Sequence, residues 1–324
     1  MSIRIRPEWF LPALLSVCFL AGCAAEQSLQ RPLMAYVAVD DGSRFAKHAP
    51  VFIVEAADEE FNRIGTPEAS LDEDGAERIF VDPGTPASFV REMPFETEKA
   101  KYTNLVYRIH FERVPAWNLT MGRNVGLFAI VTLDQQERPI LLTTVHTCGC
   151  YLAFVPTSHL PESYLPEDWC EEVQVAYGET LPCRIRLTDA SGTDQRIVIT
   201  IRDETHRVRD IDVRPVGALS DTMEVVWLPL RPMQDLESLP LNGEATSFFH
   251  TSGSRKGYVK GAEKPLEMLF VSWLAFDFRV GRDKALGPPE ETGVKIYTSL
   301  KFWRRDDSNL WNFARMLRYR GWRL

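Results

Sequence analysis

Four residues within a short stretch have the types and spacing to do chemistry: His146, Cys148, Cys150 and His159. Three of them lie in the run His146-Thr147-Cys148-Gly149-Cys150-Tyr151. Imidazole nitrogens and thiolates are ligands that zinc and copper both accept. Alternate residues of a strand share a face, so His146, Cys148 and Cys150 are expected to point the same way. At a rise of roughly 3.3 Å per residue, His146 and Cys150 of a straight strand stand about 13 Å apart. One metal ion needs ligands at about 2.0–2.3 Å, so the chain must curl. Gly149 is the residue type that permits a curl, and His159 would complete a Cys2His2-like set. Two other chemistries fit the same residues. An exported chain meets an oxidising compartment, where cysteines form disulfides. Cys170 and Cys183, flanking the polar stretch EEVQVAYGETLP, make the most natural local pair. Cys148 and Cys150 joined to each other would close a small, strained ring, and cross-pairings among the four stay open. The third chemistry is thiol redox at Cys148 and Cys150, with His146 lowering a thiol pKa.

No Gly-x-Ser-x-Gly elbow, His-Glu-x-x-His pair or phosphate loop occurs, which leans the reading away from an enzyme. His110 ends a strand pattern and reads as a strand histidine within reach of the cluster. His48, His206 and His250 sit in turn-like contexts. Glu171-Glu172 and Asp306-Asp307 are adjacent acids that read as solvated charges.

The elements that must position these residues read as short strands between turns. Met34–Val39, Val51–Glu55, Arg78–Val81 and Asn104–Phe111 are rich in β-branched and aromatic residues. Asp40-Asp41-Gly42, Asp72-Glu73-Asp74-Gly75 and Asp82-Pro83-Gly84 punctuate them. Val125–Leu133 and Pro139–His146 form the clearest hairpin, apolar on both alternations, which predicts strands covered on both faces. A second hairpin is expected at Gln195–Arg202 and Val208–Val216, with further strands at Cys183–Leu187 and Met223–Leu228. Past residue 260 the pattern turns helical. Pro265–Val280 predicts a buried core helix, with an interfacial helix as the other reading. Leu310, Phe313, Ala314 and Leu317 share one face of a last helix capped by Asp307-Ser308. The expected fold is α+β, mainly β, with antiparallel sheets and two C-terminal helices packed against them.

Thirty-seven Lys and Arg against 45 Asp and Glu give a formal net charge of -8. That balance argues against a nucleic-acid partner, which selects a basic face. With 45% hydrophobic residues the chain is neither disordered nor a polytopic membrane protein.

The first residues carry an address. Arg4 and Arg6 precede an apolar run from Trp9 to Leu20, too short to cross a bilayer but matching the core of a secretory signal. It ends in Leu20-Ala21-Gly22-Cys23: a branched apolar residue, two small residues, then cysteine. This resembles the lipobox of bacterial lipoproteins. The resemblance covers the first two dozen residues, and the rest of the chain resembles no family of known activity. It implies cleavage before Cys23, diacylglycerol on the Cys23 sulfur and a further acyl chain such as palmitate on the new amine. Ala24 after the cysteine implies, by analogy with enteric sorting, an outer-membrane site facing the periplasm. The expected organisation is a signal peptide over 1–22, a lipidated tether over 23–33, a β-rich body over 34–260 with a subdomain break near 165–180, and a helical C-terminal region over 261–324. Residues 301–324 hold seven basic and two acidic residues interleaved with aromatics. Such a tail either contacts anionic headgroups or docks back on the acidic body. The function expected is a lipid-anchored cell-envelope protein with a non-enzymatic binding or scaffolding role, its partners being the membrane and an envelope protein. The alternative is a periplasmic metal-binding or thiol-redox protein built on the His-x-Cys-x-Cys cluster.

Overall fold

The computed structural model describes residues 31–188 and 194–324, so the signal sequence and Cys23 lie outside the described residues. Eleven strands build two large sheets. In chain order they are β1 (Met34–Ala38), β2 (Val51–Val54), β3 (Ser88–Glu96), β4 (Lys101–Val114), β5 (Gly122–Leu133), β6 (Pro139–His146), β7 (Ala153–Pro156), β8 (Gln195–Ile201), β9 (Val208–Pro215), β10 (Glu224–Leu228) and β11 (Leu230–Pro232). The six-stranded sheet runs β11-β3-β4-β5-β6-β7, an antiparallel meander from β3 to β7 with β11 added in parallel. The five-stranded sheet runs β9-β8-β2-β1-β10 and mixes parallel with antiparallel pairs. The chain is thus mainly β, with few helices.

Alternation along β4 shows how the layers form. Leu105, Tyr107, Ile109 and Phe111 point one way and pack against Tyr36, Phe52 and Val54 of the five-stranded sheet. Val106 points the other way, into a second core shared with Leu310, Phe313, Met316 and Leu317 from the end of the chain. The meander is therefore covered on both faces. This explains why β5 and β6 are apolar on both alternations; both are inside the sheet, β6 next to the edge strand β7.

Some expected elements differ. Cys183–Leu187 forms no strand; Ile185 makes only a single bridge to Thr157. The last helix spans Phe313–Tyr319 and is capped by Asn312, whose side chain accepts from the Arg315 backbone. Asp307 instead takes Arg304 and Arg315 as ion partners. The basic tail divides: Phe313, Met316, Leu317, Trp322 and Leu324 are buried, while Phe302 and Trp303 stay outside. The expected core helix is the largest departure. It spans Pro265–Ala275, yet only Glu267 and Ala275 in it are buried. Met268, Leu269, Phe270, Trp273 and Leu274 are left exposed by the described residues.

Candidate thiol site

Strand β6 ends at His146, and the chain then folds into a tight turn rather than continuing extended. The His146 amide donates to the Cys150 carbonyl at 2.9 Å and the Gly149 amide to the His146 carbonyl at 2.8 Å. The His146 side chain, expected on one strand face with the two cysteines, is thereby parted from them, while the cysteines stay together on the turn. Gly149 makes the turn feasible. Its φ is +99°, and a Cβ there would drive into the carbonyl oxygen of Tyr297.

His146 points between the two sheets. Its Nε2 donates to the His206 carbonyl at 2.9 Å, and His206 Nε2 donates to the Phe61 carbonyl at 3.0 Å. A carbonyl can only accept, so both Nε2 atoms carry protons. Burial holds His146 down to about 4 and His206 to about 3. His206, read as a turn histidine, is buried and stacked on Phe111 with ring centroids 4.0 Å apart.

His159 is elsewhere. Its Nδ1 donates to the carbonyl of Pro139, at the opposite end of β6 from His146. Seven residues of strand separate those ends by about 23 Å at roughly 3.3 Å each. The Cys2His2-like set is therefore not assembled. Among the described residues no three His, Cys, Asp or Glu side chains are grouped to hold a metal ion. The donors present do not fit the zinc or copper site expected from spacing.

Cys170 and Cys183 form the disulfide that their spacing favoured. Cys148 and Cys150 are free thiols, Cys148 buried and Cys150 half-buried. They share one turn, in which the Cys150 amide donates to Cys148 Sγ at 3.4 Å. The neighbouring Cys150 side chain lowers the Cys148 pKa, with the Lys264 charge adding to it, and the Cys148 side chain together with burial raises that of Cys150. Cys148 is thus the sulfur favoured as thiolate and Cys150 the one that keeps its proton.

A buried charge cluster surrounds the pair, and its Lys264, Asp283 and Lys284 come from a segment more than a hundred residues away. Lys264 Nζ lies 3.1 Å from Asp283 Oδ2. Asp283 Oδ1 accepts from the Thr147 hydroxyl and from the Gly126 amide. Lys284 Nζ donates to the Cys148 carbonyl at 2.8 Å and rests 4.9 Å from the Tyr297 ring centroid. Arg108, fully buried, donates from Nε to His110 Nε2 at 2.9 Å and from Nη1 to the Lys284 carbonyl at 3.0 Å. His110 thus reaches the cluster only through Arg108. Burial alone would pull Lys264 down, but Asp283 and Cys148 hold its pKa well above the usual value. Burial lowers Lys284 and raises Glu267. Three buried cations therefore face Asp283 and a Glu267 pushed toward its neutral form. A thiolate at Cys148 supplies an anion that this arrangement stabilises.

A groove of about 600 Å3 lies between Pro115–Trp117 and Gly261–Pro265 and is not lined by either cysteine. Sequence reasoning did not find Lys264, Asp283 or Lys284, because charged residues at such separations look like solvated surface until the fold brings them together. Compared with known proteins, the chain matches no protein family, no curated protein and no solved structure.

Proposed function

We propose that this chain is a lipid-anchored protein of the bacterial cell envelope whose β-rich body carries a thiol–disulfide centre at Cys148 and Cys150. The observation that carries the second part is the placing of two free cysteines of unequal acidity on one turn, the Cys150 amide 3.4 Å from Cys148 Sγ, beside a buried cationic cluster. The lipobox-like Leu20-Ala21-Gly22-Cys23 supports the first.

The asymmetry sets a direction. In the oxidised pair, an incoming thiolate of a partner protein attacks the more accessible Cys150 sulfur. The Cys148–Cys150 bond breaks, a bond from Cys150 to the partner forms, and Cys148 leaves as the thiolate that Lys264 stabilises. A second partner thiolate then attacks the partner's own sulfur. The partner becomes a disulfide, having lost two electrons, and Cys150 leaves and takes up a proton. Low leaving-group pKa and a stabilised reduced form both favour donating a disulfide over accepting one.

The test is a redox titration of the chain beginning at Ala24 in glutathione buffers, with alkylation and intact-mass readout. The expected result is loss of two hydrogens from the Cys148–Cys150 peptide in oxidising buffer, and transfer of that disulfide to a reduced dithiol peptide. Two persistent thiols under fully oxidising conditions would sink the proposal. Intact mass of protein from its native host tests the anchor: a start at Cys23 with acyl mass is expected, and an unmodified start overturns it.

A second reading, the non-enzymatic binding or scaffolding role, is favoured by the unpartnered apolar helix Pro265–Ala275.

A further inference from the structure

Two segments almost thirty residues apart build one apolar platform on the outside of the molecule. Leu269, Phe270, Trp273, Phe276 and Phe278 are 66%, 55%, 68%, 73% and 83% exposed, and Trp303 is 64% exposed. The rings of Phe276 and Phe302 sit 5.0 Å apart, as do those of Phe302 and Trp303. Arg305 ties the segments together by donating to the carbonyls of Ala275 and Phe276. Contiguous exposed apolar surface of this kind marks an interaction site.

The distribution around the helix identifies the occupant. At about 100° per residue, exposed Met268, Leu269, Phe270, Trp273 and Leu274 span roughly 240° of its circumference. Glu267, Val271 and Ala275 fill the remaining sector and face the body. A helix that docks on a protein groove presents a stripe, whereas one apolar nearly all round suits a medium that surrounds it. Eleven residues reach only about 16 Å, half of a bilayer core, so the helix lies in the interface instead of crossing. No helix of the described residues is long and apolar enough to cross a membrane.

The charges agree. Arg279, Lys301, Arg304 and Arg305 stand beside the aromatic residues in sequence, within a chain of net charge -8. Arg304 pairs with Asp307, and Arg305 lies 4.0 Å from Asp277, which also accepts from the Tyr297 hydroxyl at 2.7 Å; Asp306 pairs with Lys295, so Lys301 and Arg279 are the rim cations that these acids do not neutralise. Aromatics with a cationic rim match the composition of surfaces that settle into anionic headgroups.

We propose that the Pro265–Ala275 helix, with Phe276, Phe278, Phe302 and Trp303, inserts into the headgroup region of an anionic phospholipid bilayer and seats the body on it. The inference rests on the binding reading and supplies its partner, and it needs neither the thiol chemistry nor an acylated Cys23.

The test is flotation of the chain beginning at Ala24, which contains the whole compact unit Pro32–Leu324. Vesicles of phosphatidylglycerol are compared with vesicles of phosphatidylcholine. Expected are co-flotation with phosphatidylglycerol, a blue shift of tryptophan emission, and weaker binding to phosphatidylcholine. Phe276→Ser with Phe278→Ser should lower partitioning by about tenfold, and Lys301→Glu should weaken binding to phosphatidylglycerol alone. Because these side chains are exposed, near-ultraviolet circular dichroism should stay native. Absence of flotation, or flotation unchanged in the aromatic variant, overturns the proposal; equal binding to both lipids overturns its anionic part. If the chain fails to float but self-associates in sedimentation, and the aromatic variant abolishes this, the membrane proposal falls while the binding reading stands.

Discussion

Lys264 and Asp283 meet at 3.1 Å with side chains only 3% and 0% exposed. Neither charge has water to stabilise it, so each depends on the other. Asp283→Asn leaves the Lys264 ammonium buried without its carboxylate. The expected cost is about 3–5 kcal/mol, read as a shift of the urea midpoint. Replacing both residues, as Lys264→Met with Asp283→Leu, should cost less than Asp283→Asn alone. If Asp283→Asn unfolds at the wild-type midpoint, the pair is not sealed as described.

The two buried imidazoles set a pH dependence. His146 is held down to about 4 and His206 to about 3, against about 6.5 in an unfolded chain. Below pH 6.5 the unfolded chain binds protons that the folded chain refuses. Stability from these groups is therefore complete above about pH 6.5 and declines as pH falls toward 4 and then 3. Each unit crossed costs about 1.4 kcal/mol per group. His146→Gln keeps an N–H donor for the His206 carbonyl and removes one titration. Its stability should drop less steeply than wild type between pH 6.5 and 4, by about 2–3 kcal/mol in total, in urea unfolding across that range. Parallel curves would show that His146 is protonated in the folded chain.

Gly149 and Gly178 separate strain from collision. Both have positive φ, +99° and +87°, yet a Cβ on Gly178 meets open space while one on Gly149 meets the Tyr297 backbone. Gly178→Ala should cost about 1 kcal/mol from the backbone alone. Gly149→Ala should cost about 2–4 kcal/mol and alter Cys148 alkylation, because the turn that pairs the sulfurs must open. Equal melting temperatures for the two variants would remove Tyr297 from the account.

The hairpin of β5 and β6 was legible because both alternations are apolar, and a strand buried on two faces leaves that pattern in the sequence. The Cys170–Cys183 bridge was legible because its partners are local. The Pro265–Ala275 helix was visible as a helix but not as an exposed one, since apolar density records an aversion to water without naming what replaces it. His146, Cys148 and Cys150 were found as a cluster, but strand periodicity could not foresee the turn that Gly149 permits. His159 was drawn in by nearness in sequence, although a strand carries neighbours apart as readily as a turn brings them together.

Lys264 belongs to two structures at once. Its ammonium closes the ion pair beside the sulfurs, while its carbonyl accepts the Met268 amide at 2.9 Å and so begins the outward helix. An event that adds or removes a negative charge at Cys148 is felt by the residue from which that helix departs. The ion pair beside the sulfurs and the first turn of the outward helix therefore rest on one and the same residue.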